Sequence, residues 1–304
     1  MNVNWKGVYP AVTTKFLANG DLDLPNFEMN IEAQIAAGVN AIVLGGTLGE
    51  ASTLTTDEKL TLIQTTNKVS NGRVPVIVNI AESRTSDAVA FTAKAEEAGA
   101  NGFMLLPPMR YKADDRETVH YFAQIAQSTQ LPIMIYNNPV DYKIEVTLDM
   151  FEELMHYENI QAVKESTRDI SNITRMRNRF GDRFKILSGV DTLAMESLVM
   201  GADGWVAGLV CAFPAETVAI YRGVVNGEIE KARGIYRWFL PLLELDINAK
   251  LVQNIKLAEV ATGLGTEHVR EPRLPLEGAE RAHVLKVIDD AMAIRPALEE
   301  KIIG

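Results

Sequence analysis

Cysteine is almost absent from this chain: Cys211 stands alone among 304 residues. One thiol excludes an internal disulfide framework and any multi-cysteine metal cluster, and it makes a reducing compartment the natural expectation. Cys211 itself is expected as a small apolar core residue. Positive charge is in deficit, with 30 Lys and Arg against 40 Asp and Glu and a formal charge of -10. That balance argues against non-specific affinity for nucleic acid or an anionic membrane, so a small-molecule or protein partner is expected. Long hydrophobic runs are missing too, since no segment approaches the roughly 20 apolar residues that span a bilayer. The opening MNVNWKGVYPAV lacks the basic stretch and apolar run of an export signal, which gives the expectation of a soluble cytoplasmic protein. The four histidines, His120, His156, His268 and His283, are scattered without the paired spacing of a metal-binding helix.

What the chain has is apolar content, 47% of its residues, enough to bury one large α/β barrel or two ordinary domains. Short runs rich in Val, Ile and Leu recur at residues 8–14, 41–44, 76–81, 102–106, 133–136, 162–164, 185–188 and 205–209. Such runs suit parallel strands covered on both faces. Between them, stretches such as 87–98 and 117–128 carry apolar residues at helical spacing. Alternation repeated about eight times predicts a closed (β/α)8 TIM barrel, an α/β fold. Ala37-Gly38-Val39-Asn40-Ala41, Ala98-Gly99-Ala100-Asn101-Gly102 and Met200-Gly201-Ala202-Asp203-Gly204 each read as a helix end, a tight turn and a strand start. After Pro214 the pattern is helical to the end. The expected organisation is a barrel over residues 1–227 and a C-terminal helical segment over 228–304.

In such barrels the chemistry sits where strands end. Strand six ends in Ile160-Gln161-Ala162-Val163-Lys164-Glu165-Ser166, an apolar run closed by a lysine. A lysine is rarely buried without a partner, because its ammonium is expensive to desolvate. Either it pairs with a carboxylate such as Glu165, or desolvation lowers its pKa and yields a neutral amine able to attack a ketone. The Gly46-Thr47-Leu48-Gly49 loop after strand two allows a tight turn with inward N–H groups, and the Thr47 hydroxyl adds a donor for a carboxylate. It lacks the Lys of a P-loop and the third glycine of a dinucleotide fingerprint, and taken alone it is an ordinary turn. Tyr136 ends strand five before Asn137-Asn138-Pro139 and, opposite a lysine, is placed to move protons. Asp114-Asp115 and Glu152-Glu153 read as solvated surface charge.

These residues resemble the dihydrodipicolinate synthase and N-acetylneuraminate lyase superfamily of class I aldolases. The likeness covers nearly the whole chain. It rests on Gly7-Val8-Tyr9-Pro10-Ala11 followed by Thr13-Thr14, Gly46-Thr47-Leu48-Gly49-Glu50, Tyr136-Asn137-Asn138-Pro139 and Val163-Lys164-Glu165, with 28 positions from Tyr136 to Lys164. The resemblance implies that Lys164 forms a Schiff base with a 2-keto acid, that Tyr136 transfers protons, and that Thr47 with the Leu48 backbone holds the carboxylate. It also implies a homotetramer or homodimer and no metal or organic cofactor. Substrate contacts are expected from Gly46, Thr47 and Leu48, from Met109 and Asp141, and from Gly189, Asp191 and Val206.

The departures bear on the substrate. Dihydrodipicolinate-forming members carry a second threonine at the position of Leu48 and an arginine at that of Asp141. Their second tyrosine, supplied across a subunit interface, aligns with Met109, where Arg110 or Tyr111 is an alternative source. Asp141 would repel a carboxylate, which disfavours lysine biosynthesis. Neuraminate lyases grip a polyol with an Asp-Glu pair and a serine; here Asp191 is followed by Thr192, and Gly208 stands at the serine position. The stretches from Pro107 to Lys112 and Tyr136 to Lys143 resemble the branch that includes Δ1-pyrroline-4-hydroxy-2-carboxylate deaminases. The expected substrate is therefore a small 2-keto acid or cyclic imino acid. Deamination to 2-oxoglutarate semialdehyde leads. Dehydration or cleavage of a 2-keto-3-deoxy sugar acid, 4-hydroxy-tetrahydrodipicolinate synthesis, and a silent 2-keto acid binding protein remain alternatives.

Overall fold

A computed structural model describes residues 1–108 and 111–298. The chain alternates β1 (Gly7–Pro10), α1 (Leu24–Ala36), β2 (Ile42–Leu44), α2 (Thr56–Ser70), β3 (Val76–Ile80), α3 (Thr85–Glu97), β4 (Gly102–Leu105) and α4 (Asp115–Ser128). It continues through β5 (Ile133–Asn137), α5 (Pro139–Tyr142), α6 (Leu148–Leu154), β6 (Ile160–Glu165), α7 (Ser171–Phe180), β7 (Lys185–Ser188), α8 (Ala194–Val199), β8 (Gly204–Ala207) and α9 (Pro214–Val225). The eight strands are parallel, in the order β1-β8-β7-β6-β5-β4-β3-β2. An isolated parallel bridge between Ala11 and Val43, with the Val12 N–H donating to the Val43 carbonyl at 3.1 Å, brings the two ends together. The fold is a TIM barrel, and its strands are buried on both faces, which is why they read as unbroken apolar runs rather than as alternating ones.

Local signals set the boundaries. The Thr55 and Asp114 side chains cap α2 and α4, each in a reciprocal box with a glutamate three residues on, Glu58 and Glu117. Asp114, read from sequence as a solvated charge, is thus a helix cap. Gly99 and Gly201 adopt φ of +102° and +96°, left-handed conformations that end a helix and that a side chain disfavours. The run predicted over 8–14 ends as a regular strand at Pro10, and past the Ala11–Val43 bridge it leaves the sheet. Its hydroxyls find other acceptors: Thr14 Oγ1 donates to the Gly49 carbonyl at 2.6 Å, and Thr13 Oγ1 to the Glu259 carboxylate at 2.7 Å. The run predicted over 205–209 likewise ends as strand at Ala207 and turns into a short 3-10 helix, Leu209–Cys211.

Beyond the barrel lie α10 (Ile229–Leu243), α11 (Leu251–Thr262) and α12 (Gly278–Ala293). Phe239, Leu242, Ile255 and Ile288 are fully buried, so this segment shares one apolar core with the barrel. Two ion pairs with no exposed side-chain surface fasten α11 to the barrel mouth: Lys256 with Glu50 at 2.5 Å and Lys15 with Glu259 at 2.7 Å. Buried charges are tolerable only when so paired. Because Glu50 closes the loop after β2, α11 holds that loop in place. Among the described residues no helix is long and apolar enough to cross a membrane.

Candidate active site

The register of β5 against β6 pairs Tyr136 with Lys164 and Asn137 with Glu165. Successive side chains on a strand point to opposite faces, so Tyr136 and Lys164 share the barrel interior while Glu165 points away from it. The Glu165 carboxylate accepts from the Thr167 N–H and from Asn172 Nδ2, each at 2.8 Å. The pleat therefore forbids the Lys164–Glu165 ion pair that the sequence left open. Among the described residues no carboxylate comes within 4.0 Å of Lys164 Nζ, which sits over the Tyr136 ring, 4.0 Å from its centroid. Burial holds this ammonium below the usual lysine range, and Tyr142, Asp246, Asp191 and Asp141 offset only part of the effect.

Gly189, at the end of β7, owes its identity to this lysine. A Cβ there would lie 2.6 Å from Lys164 Cγ and 2.1 Å from Ser166 Oγ, well inside contact distance. Gly189→Ala is expected to push the amine off its line of attack. Imine formation with pyruvate, read as borohydride-trapped protein by mass spectrometry, should slow by about 100-fold, the usual scale for a misplaced reacting group. A wild-type trapping rate would leave Gly189 a bystander.

The Tyr136 hydroxyl accepts from Asn138 Nδ2 at 3.1 Å, and burial pushes the phenol up to about 12, so it enters any reaction protonated. Thr47 and Tyr142 hydroxyls are 3.0 Å apart, and the Tyr142 ring meets Tyr136 edge-on at 5.3 Å between centroids. Three hydroxyl side chains thus line one wall. Tyr142 went unnoticed in the sequence; its signal was Pro139, which starts the one-turn helix α5 and folds the chain back over the end of β5. Of the positions considered for a second tyrosine, Met109 and Arg110 lie outside the described residues. Tyr111 is 58% exposed and away from the cavity.

The cavity around Lys164 has a volume of about 90 Å³. Gly46, Thr47, Leu48, Tyr136, Asp141, Gly189 and Val206 all line it, so seven of the expected site residues meet Lys164 there. Among the described residues, no acceptor pairs with the backbone N–H groups of Thr47 and Leu48, which leaves them for a carboxylate. Asp141 is held by Asn138 Nδ2 at 2.7 Å. Asp191 stands apart: it does not line the cavity, and its oxygens accept from Trp205 Nε1 at 2.9 Å and from the Gly208 and Leu209 N–H groups at 3.1 and 2.9 Å. It anchors the end of β8. Two charged residues that the sequence did not single out also line the cavity, Arg168 and Asp246. Arg168 follows β6 with a left-handed φ of +65°, and Asp246 comes from the turn Glu244–Ile247 after α10. Among the described residues no group of three or more His, Cys, Asp and Glu is placed to hold a metal ion.

Known proteins match this chain over nearly its whole length. The 4-hydroxy-tetrahydrodipicolinate synthase of Exiguobacterium sibiricum is 34% identical over 290 residues, covering 93% of this chain and 97% of its own. That of Bacillus subtilis is 30% identical, covering 95% of this chain and 100% of its own. The crystal structure of a dihydrodipicolinate synthase from Bacillus anthracis superposes with a TM-score of 0.91 at 30% identity, over 97% of this chain and 100% of that one. The profile of the dihydrodipicolinate synthetase family matches residues 4–291, and the chain belongs to that family.

Proposed function

We propose that this chain is a lysine Schiff-base lyase for a small hydroxylated 2-keto acid or its cyclic imine, with Δ1-pyrroline-4-hydroxy-2-carboxylate as one candidate substrate. The observation that carries the reading is the buried, unpaired Lys164 amine beside Tyr136, in a cavity that Asp141 also lines, an acid that would repel a second carboxylate. The substrate carboxylate sits on the Thr47 and Leu48 N–H groups. Lys164 adds to C2 of the cyclic imine and opens the ring by transimination, leaving the amine on C5. The iminium acidifies C3; Tyr136 assists loss of that proton, and the C4 hydroxyl leaves as water. Isomerisation exposes an imine at C5. One water releases ammonia there, a second frees Lys164, and the product is 2-oxoglutarate semialdehyde.

A second reading is 4-hydroxy-tetrahydrodipicolinate synthesis from pyruvate and an aldehyde that carries its own carboxylate. The names of the curated relatives favour it over deamination, and Arg168 on the cavity wall is a cation able to take that carboxylate. The homotetramer or homodimer expected of such enzymes goes with either reading. The deciding experiment offers the protein both substrate sets. Matched release of ammonia and semialdehyde from the pyrroline supports the deaminase; condensation of pyruvate with aspartate semialdehyde supports the synthase. An adduct with pyruvate but neither reaction would direct the search to 2-keto-3-deoxy sugar acids. No adduct at all would leave a binding protein.

A further inference from the structure

Asp246 is the one carboxylate around the cavity that has no hydrogen-bond or ion-pair partner among the described residues. Asp141 is engaged by Asn138, and Asp191 by three donors. Asp246 is delivered from outside the barrel, on the turn between α10 and α11, and its fit depends on one barrel residue. A Cβ on Gly208 would come within 2.7 Å of Asp246 Oδ1 and 3.0 Å of Leu48 Cδ1. Even a single methyl at position 208 would force the carboxylate to shift from this place. The missing side chain just after β8 and the acid from the C-terminal segment are therefore one device. Its carboxyl oxygens lie more than 4.0 Å from Lys164 Nζ, which leaves room for substrate atoms between the two.

We propose that Asp246 is a specificity-determining residue that reads a hydroxyl on the substrate carbon chain beyond C3, with Gly208 as the gap that admits it. This rests on the Schiff-base reading above, because the imine to Lys164 fixes C2 and so fixes which atoms reach Asp246. The hydroxyl, and not a second carboxylate, suits the site: burial and the neighbouring Asp191 raise the Asp246 carboxyl well above the usual range, which favours the neutral form. A neutral carboxyl both donates to and accepts from a hydroxyl. A substrate without that hydroxyl leaves it buried and unsatisfied, which turns one hydrogen bond into discrimination.

The test is a competition between two acids that differ by one hydroxyl, 2-oxobutanoate and 4-hydroxy-2-oxobutanoate, trapped together by borohydride and counted by adduct mass. Any pyruvate or dehydrated adduct counts with the hydroxylated acid from which it arises. Wild-type protein is expected to favour the hydroxylated acid by about tenfold or more, the scale of one buried hydrogen bond. Asp246→Ala and Gly208→Ala should each bring the ratio close to one. Asp246→Leu, which keeps the branched shape without a donor or an acceptor, holds the test open if the alanine variant fails to fold, and it should lower the ratio. A wild-type ratio near one, or variants that keep the wild-type ratio, would overturn the role of Asp246 while leaving the Schiff base standing. No wild-type adduct with either acid would overturn the Schiff-base reading and this inference with it.

Discussion

Replacing Lys164 by methionine should take turnover to the uncatalysed level and abolish the borohydride adduct with pyruvate, while the folded protein becomes more stable. The first effect follows from covalency: with no amine there is no iminium, and nothing else in the cavity acidifies C3. The second follows from the cost of a buried ammonium whose neighbours do not repay its desolvation. Methionine keeps nearly the same volume and adds no charge. The folded-state pKa of Lys164 lies below its unfolded value, so between the two the unfolded chain binds more protons, and wild-type stability rises with pH across that window. The variant should lose that limb and show the larger gain at neutral pH. Thermal denaturation at several pH values reads it directly. A variant that is folded but clearly less stable would mean that Lys164 has a structural partner, and substantial residual turnover would sink the covalent route. In the wild type, kcat/KM should rise with pH along a limb whose midpoint lies below the ordinary lysine value of about 10.4, because the attacking form is the free amine.

The barrel was legible because its cause is local. Parallel strands covered on both faces must be short apolar runs, and the turns between helix and strand announce themselves through Gly99 and Gly201. Lys164, Tyr136 and Thr47 were legible for a related reason: each sits where an apolar run stops, and the architecture sends all such points to one rim. The choice between ion pair and amine was not, since it turns on the face to which Glu165 points, a matter of register. Asp246 was out of reach altogether. It lies on a turn between two helices that the apolar pattern marks only as an extension, and Gly208 looked like the loss of a polar contact until the carboxylate was seen against it. Asp191, an acid at a strand end, reads from sequence as a ligand for substrate. In the fold its carboxylate accepts from Trp205 and from two backbone N–H groups, contacts that the strand-end position does not announce.

Tyr136→Phe separates proton transfer from imine formation. The phenol lies beside the Lys164 amine, and at about 12 its pKa keeps it protonated through the working range, so in the proposed reaction it would act as a donor and as a relay through which the C3 proton leaves. Removing the hydroxyl leaves the aromatic face under Lys164 in place, and pyruvate should still be trapped by borohydride. Turnover is expected to fall by about 10² to 10⁴ in kcat with little change in KM, the usual scale for one acid-base group. Exchange of the pyruvate methyl protons with deuterated water, followed by NMR, gives the same step without any assumption about the second substrate, and it should fall in parallel. Tyr142→Phe supplies the internal comparison: if the Thr47–Tyr142 contact passes the proton onward, exchange slows there too, by less than at Tyr136. Unchanged exchange in Tyr136→Phe would remove that residue from its role, and a loss confined to Tyr142→Phe would move the proton path to the Thr47–Tyr142 pair of the same three-hydroxyl cluster.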